Sequence, residues 1–133
     1  MRFHYADLSV QAQVRKVGAE IVASGVGVDG LFNNAGVLTD KSYRSAQDNE
    51  MHYEVNTLAP YLLTSALWPA LEQSAAPFVV NTATGSMDAR DSIDMQELKA
   101  PIKFRKLLGS YVESKVAMIV LMNHLAETLQ ASN

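Results

Sequence analysis

The chain has 133 residues, no cysteine, a formal net charge of -3, 48% hydrophobic residues and 19% charged residues. That suits one domain with enough apolar material for a core, and it excludes a disordered chain, disulfides and thiolate metal sites. The acidic balance, with no dense Lys/Arg cluster, argues against a nucleic-acid surface.

The opening residues lack the apolar segment of a signal peptide. No apolar run approaches the roughly 20 residues of a membrane helix, so no membrane span is expected. His4, His52 and His124 have no ligand-like spacing, so no metal site is expected. Zero cysteines suit a cytoplasmic protein.

In chain order, "RFHYA" alternates Phe3 and Tyr5 with polar neighbours and predicts a short strand. "ADLS" brings helix-start chemistry, with Ser9 as N-cap and Val10, Val14, Val17 and Ile21 at helical spacing. Glycines in "ASGVGVDG" end that helix. "VDGLF" reads as a buried strand ending at Asn33. Residues 46–74 read as one long helix, with Met51, Val55, Leu58, Leu62, Leu63 and Leu67 on its apolar stripe. Pro60 and Pro69 are expected to kink or bound it. "PFVVNTA" is the next strand, built on Phe78, Val79 and Val80. A charged, irregular stretch runs from Gly85 to about Leu107, with a helical turn in "DMQELK". "SYVESKVAMIVLMNHLAETLQ" closes the chain as a helix.

Strand–helix alternation with near-continuous apolar strands implies an α/β domain, a parallel sheet covered by helices, over residues 1–133. Ligands gather beyond the carboxyl ends of such strands. Asn33 to Gly36 and Asn81 to Ser86 lie at two such ends.

Tyr111 and Lys115 stand four apart on one helix face. A phenol titrates near 10, too high for easy proton transfer at neutrality. A neighbouring ammonium favours the phenolate and lowers that value. The pair therefore suits general acid/base work, and equally a solvated helix face. Asn56 lies mid-helix, where an amide competes with the backbone for hydrogen bonds. Thr84, with Ser86 close by, offers a hydroxyl at a strand end, either for a substrate carbonyl or for local capping. Asp7 closes the first strand and faces either a ligand amine or the start of the next helix.

Each signal is common by itself, but their order is not. Asp7-Leu8-Ser9, Asn33-Asn34-Ala35-Gly36, Asn56 with Ala59-Pro60, "VVNTAT" and Tyr111-Val112-Glu113-Ser114-Lys115 follow successive elements. Together they resemble the middle of a short-chain dehydrogenase/reductase, over essentially the whole chain. The resemblance implies a partial Rossmann-type, doubly wound parallel sheet and an NAD or NADP cofactor. It also implies hydride transfer to or from a small alcohol or carbonyl. Tyr111 would be the acid/base, and Lys115 would lower its pKa and hold the nicotinamide ribose. Asn56 would position a water beside Lys115. Thr84 would orient substrate where the family places serine, with Ser86 as the alternative. Asp7 and the Leu8 backbone would face the adenine, and Asn34, Ala35 and Gly36 would line the adenosine side, while Asn33 braces the sheet. The long separation between Thr84 and Tyr111 resembles the retinol-dehydrogenase-like branch.

The family's first two strands, its Gly-rich turn and its C-terminal strands have no counterpart here. The alternative reading is a non-catalytic fragment or interaction module that keeps the fold without holding a dinucleotide. Family members often form a homodimer through these two long helices, and Trp68, Met118 and Met122 suit either such an outer face or the core equally well. In the family's sheet, two strands lie between those that "RFHY" and "VDGLF" would form, so "RFHY" would lack its neighbour. The chain alone is therefore expected to be marginally stable. A urea melt should give a low midpoint, and a cooperative transition with a mid-sized unfolding free energy would overturn that expectation.

Overall fold

Parallel strands need a crossover of a dozen or more residues between them, and the chain supplies one. In the computed structural model, which describes residues 1–85, 93–101 and 108–131, β1 (Gly30–Asn33) pairs in parallel with β2 (Phe78–Asn81). The register sets Gly30 beside Phe78, Leu31 beside Val79, Phe32 beside Val80 and Asn33 beside Asn81. Helix α1 (Gln11–Ala23) precedes β1. A π-helical segment (Tyr53–Leu58) runs directly into α2 (Ala59–Leu71) between the strands, and α3 (Met95–Lys99) and α4 (Leu108–Ala131) follow β2.

Strand side chains alternate between faces. Val79 points into a cluster of Met118, Met122 and Leu125 from α4. Asn33 is buried on the same side and donates to Thr64 Oγ1 of α2 at 3.1 Å and to Asn81 Oδ1 at 2.9 Å. One amide thus ties both strands to the crossover helix. The opposite face carries Phe32, Phe78 and Val80, exposed at 66%, 47% and 43%. Phe32 and Phe78 meet edge-on with ring centroids 5.5 Å apart. Among the described residues, one face of the sheet is therefore covered, with Val79 in an apolar cluster and Asn33 in a buried amide network, and the other is apolar and open.

Helix α1 lies against α2. Val14 is fully buried with Ala59 and Leu62, and Leu8 packs on the same cluster. At Gly18 an added Cβ would come within 2.5 Å of Ala66 Cβ, so the absence of a side chain is what permits this approach. Helix α3 is capped by Asp94, whose carboxylate accepts from Gln96 N–H and Glu97 N–H. It buries Leu98 against Tyr53 and Ala117. The helical turn expected in "DMQELK" is present.

Four expectations need correction. Residues 2–6 form no strand, and Phe3 and Tyr5 are exposed at 85% and 98%. An extended segment becomes a strand only by pairing its backbone, and among the described residues the sheet contains β1 and β2 alone. Ser9 does not cap α1. The helix begins one residue later, with Val10 as an N-cap without a side-chain bond, and the Ser9 hydroxyl donates to Asp7 instead. The long helix starts at Met51 rather than at residue 46. Before it, Asp48 takes a left-handed φ of 59°, and Arg44 and Glu50 form an isolated antiparallel bridge. Ser45 and Asn49 donate to the buried Glu54 carboxylate, which holds this turn in place. Finally, Met118 and Met122 belong to the core, so they are not an outer face for a second copy.

The two prolines act differently. Ala59 N–H bonds Glu54 C=O, five residues back, and Pro60 has no N–H to give. The wide π turn ends where the missing donor would have stood, and normal α winding resumes. Pro69 sits in the last turn of α2 without ending it. Among the described residues no helix is long and apolar enough to cross a membrane, and no cluster of His, Cys, Asp or Glu suits a metal ion.

Asn33→Ala removes both bonds from the buried amide and strands acceptors on α2 and β2. It should lower unfolding free energy by about 1–3 kcal/mol, read from the urea midpoint. An unchanged midpoint would show that the strands are held without it.

Candidate functional site

The carboxyl ends of β1 and β2 are adjacent because the strands are parallel. Thr82 N–H continues the ladder to Asn33 C=O at 3.1 Å. The Thr82 hydroxyl donates to Asn34 Oδ1 at 3.0 Å. Asn34, Ala35 and Gly36 are exposed beyond this point, a small-residue shelf open to solvent.

The shelf is pinned from beneath by Asn56 of the π segment, which is fully buried. Its Oδ1 accepts from Val37 N–H at 2.8 Å, and its Nδ2 donates to Val37 C=O at 3.0 Å. The second Nδ2 hydrogen goes to Ser114 Oγ of α4 at 3.1 Å. Both amide hydrogens are therefore used. The Ser114 hydroxyl in turn donates to Tyr111 C=O, and Thr57 Oγ1 donates to Ser114 C=O. One turn of the π segment thus fixes both the shelf and the first turns of α4.

Lys115 is 3% exposed, and its ammonium donates to Thr82 C=O at 2.7 Å. A Cβ placed on Gly36 would stand 3.1 Å from Asn56 Oδ1 and 3.4 Å from Lys115 Nζ. Glycine is therefore the residue that lets the shelf lie against both groups. Burial strips the ammonium of water and holds its pKa below the ordinary lysine value. Tyr111, one turn earlier on α4, is half-buried, and its ring meets His52 edge-on with centroids 6.4 Å apart. The ammonium thus lies against the shelf, and the Tyr111 ring, one turn away on the same helix, lies against His52. Tyr53 is the other tyrosine nearby. Burial and the adjacent Glu54 push its phenol pKa up, the wrong direction for an acid/base.

The remaining candidates are more scattered. Asp7 Oδ1 accepts from Ser9 N–H at 2.9 Å and Ser9 Oγ at 2.7 Å, and these bonds hold its carboxyl below the usual range. These bonds close a turn just ahead of α1 and cap no N–H of the helix itself, and the group stays exposed. Leu8 buries its side chain among Val14, Ala59 and Leu62. Thr84 is half-buried beyond the end of β2. Ser86 lies outside the described residues. A separate cavity of about 420 Å³ opens between α2, β2 and the C-terminal half of α4, lined by Trp68, Phe78 and Met122 among others.

Sequence reasoning missed Glu50, His52, Thr82 and Ser114. His52 was passed over because the histidines lack ligand spacing. The usable signal was two ionisable residues, Glu50 and His52, flanking the first residue of a helix otherwise reading as buried.

The family model described as short chain dehydrogenase matches residues 1–97. The chain is 30% identical over 128 residues to retinol dehydrogenase 13 of Homo sapiens, covering 96% of this chain and 38% of that protein. It is 29% identical to polyprenol dehydrogenase of Danio rerio, covering 97% of this chain and 40% of that one. Among solved structures it resembles an oxidoreductase of E. coli, yciK, with TM-score 0.69, 26% identity and 98% and 50% of the two chains covered. It also resembles a metagenomic short-chain oxidoreductase in complex with NADP, with TM-score 0.67, 25% identity and 96% and 52% covered. The chain thus spans well under two thirds of the length of each of these proteins. Those structures carry Rossmann-type folds, and this chain matches a part of that architecture.

The Lys115 environment has a pH signature. Between its lowered pKa and the ordinary value of 10.5, the unfolded chain keeps a proton that the folded chain has released. Stability gains from Lys115 as pH rises through that window. The difference in urea midpoint between wild type and Lys115→Met should therefore climb across the alkaline range. A flat difference would show that the ammonium is not desolvated.

Proposed function

We propose, for a chain that belongs to the short-chain dehydrogenase family and its retinol-dehydrogenase-like branch, that it carries the acid/base half of an oxidoreductase acting on an alcohol or carbonyl with NAD or NADP. The observation that carries this reading is the placement of Lys115. Its ammonium is anchored at Thr82 C=O, against Gly36 and Asn56, one helical turn from Tyr111.

When bound, the nicotinamide would give or take the hydride. The Tyr111 hydroxyl would give a proton to the carbonyl oxygen in reduction and recover it in oxidation. Lys115 would favour the phenolate by its charge. Gly36, Ala35 and Asn34 form a shelf without bulk, suited to a flat adenosine group. Asp7 and the Leu8 backbone are assigned to the adenine side. Thr84 is assigned to the substrate oxygen. Both Asn56 amide hydrogens are committed to Val37 and Ser114. Any water it positions beside Lys115 would therefore donate to an Asn56 oxygen, that of the amide or of the main chain. The names of the relatives make long apolar alcohols, retinol and polyprenol, the first substrates to assay.

The open Phe32, Phe78 and Val80 face favours a second reading, in which this chain alone keeps the fold but holds no dinucleotide. NADH and NADPH titrations separate the two. The first reading expects binding, with Tyr111→Phe lowering turnover by about 10²–10⁴-fold at little cost in cofactor affinity. It expects Lys115→Ala to weaken both. No binding at millimolar NADH or NADPH would favour the second.

A further inference from the structure

Two polar side chains of the long helix face α4, four residues apart: His52, just ahead of the π segment, and Asn56 within it. Helix α4 presents Tyr111 and Lys115 at the same separation. Asn56 meets the Lys115 end, through Ser114 and Gly36. His52 meets the Tyr111 end.

The imidazole is fully buried and held on both nitrogens. Nε2 accepts from Thr39 N–H at 3.0 Å, and Nδ1 lies 2.8 Å from Glu50 Oε1. A backbone N–H can only donate, so Nε2 carries the lone pair and the ring hydrogen sits on Nδ1, directed at Glu50. Glu50 is itself fully buried, and its other oxygen accepts from Tyr53 N–H at 3.1 Å. Glu50 N–H donates to Lys99 C=O at 2.9 Å. The ring therefore has a fixed tautomer and a fixed plane, and that plane stands at 78° to the Tyr111 ring.

Resting on the assignment of Tyr111 as acid/base, we propose that His52 is a positioning residue for it. Glu50 and Thr39 lock the imidazole, and the imidazole sets the direction of the phenol. Thr39 lies three residues past Gly36. His52 thereby ties the orientation of Tyr111 to the same loop that forms the shelf.

The test uses His52→Gln in the full chain. Glutamine can still donate toward Glu50 and accept from Thr39, but it offers no ring edge. With turnover measured on a retinol or polyprenol substrate, kcat should fall by about tenfold to a hundredfold while KM for the cofactor stays put. An unchanged kcat in an active protein overturns the proposal. Fluorotyrosine labelling gives a readout without catalysis, the Tyr111 resonance being identified by its loss in Tyr111→Phe. One narrow resonance in wild type should broaden or divide in His52→Gln. A resonance that stays single and narrow overturns the positioning role, whether or not the protein turns over. Tyr111→Phe in the same assay separates the two claims. If it leaves turnover intact, the acid/base assignment fails, and the resonance alone then decides whether His52 orients the ring.

Discussion

The structure depends on one buried amide. Asn56 sits where a helix should be apolar, and burying an unpaired amide would cost several kcal/mol at the upper end of transfer values. Its bonds to Val37 and Ser114 offset that cost and dictate what surrounds it. The loop after β1 must run past it in a fixed register, and α4 must bring Ser114 within reach. Those two demands place Gly36 and Lys115 side by side. The widened π turn serves the same end, because its side chains Tyr53 through Thr57 are all buried and must find room. Widened turns of this kind are often found at functional sites.

The sequence disclosed the architecture well wherever the signal was local. Apolar runs gave both strands, helical periodicity gave α1 and α2, and "DMQELK" and "SYVESKVAMIVLMNHLAETLQ" read as helical where α3 and α4 stand. It failed where the outcome depended on partners. "RFHYA" alternates like a strand, but a strand exists only with a neighbour to bond. Ser9 looks like a cap, but the chain enters the helix one residue later, at Val10, whose side chain has no polar atom to offer. Met118 and Met122 read equally as core or interface until the packing on Val79 decided for the core.

The candidate site was half legible. Tyr111, Lys115, Asn56 and Gly36 were named from order and spacing, and three of the four meet within a few ångströms. The supporting groups were not named. Thr82 contributes a main-chain carbonyl, which no side-chain pattern can reveal. Ser114 acts through a hydroxyl directed along its own helix, and Glu50 and His52 are joined by a bond across a helix start. Groups that touch a ligand tend to recur in motifs, whereas groups that hold them are chosen by packing and leave little trace.

The open side of the sheet bears on how the site is built. Phe32, Phe78 and Val80 form an apolar surface exposed among the described residues, yet none of the acid/base groups depends on that side. Lys115 hangs from Thr82, Asn56 from Val37 and Ser114, and His52 from Glu50 and Thr39. All of these bonds lie among the strand ends, the loop after β1, the first turns of the long helix and α4. Covering the open face would stabilise the sheet by burying apolar surface, at about 25 cal/mol per Å², without altering any of them. Stability and site geometry are therefore separable here. Side-chain clamps set the geometry of the crevice, and the number of strands beside it governs how firmly the whole is held.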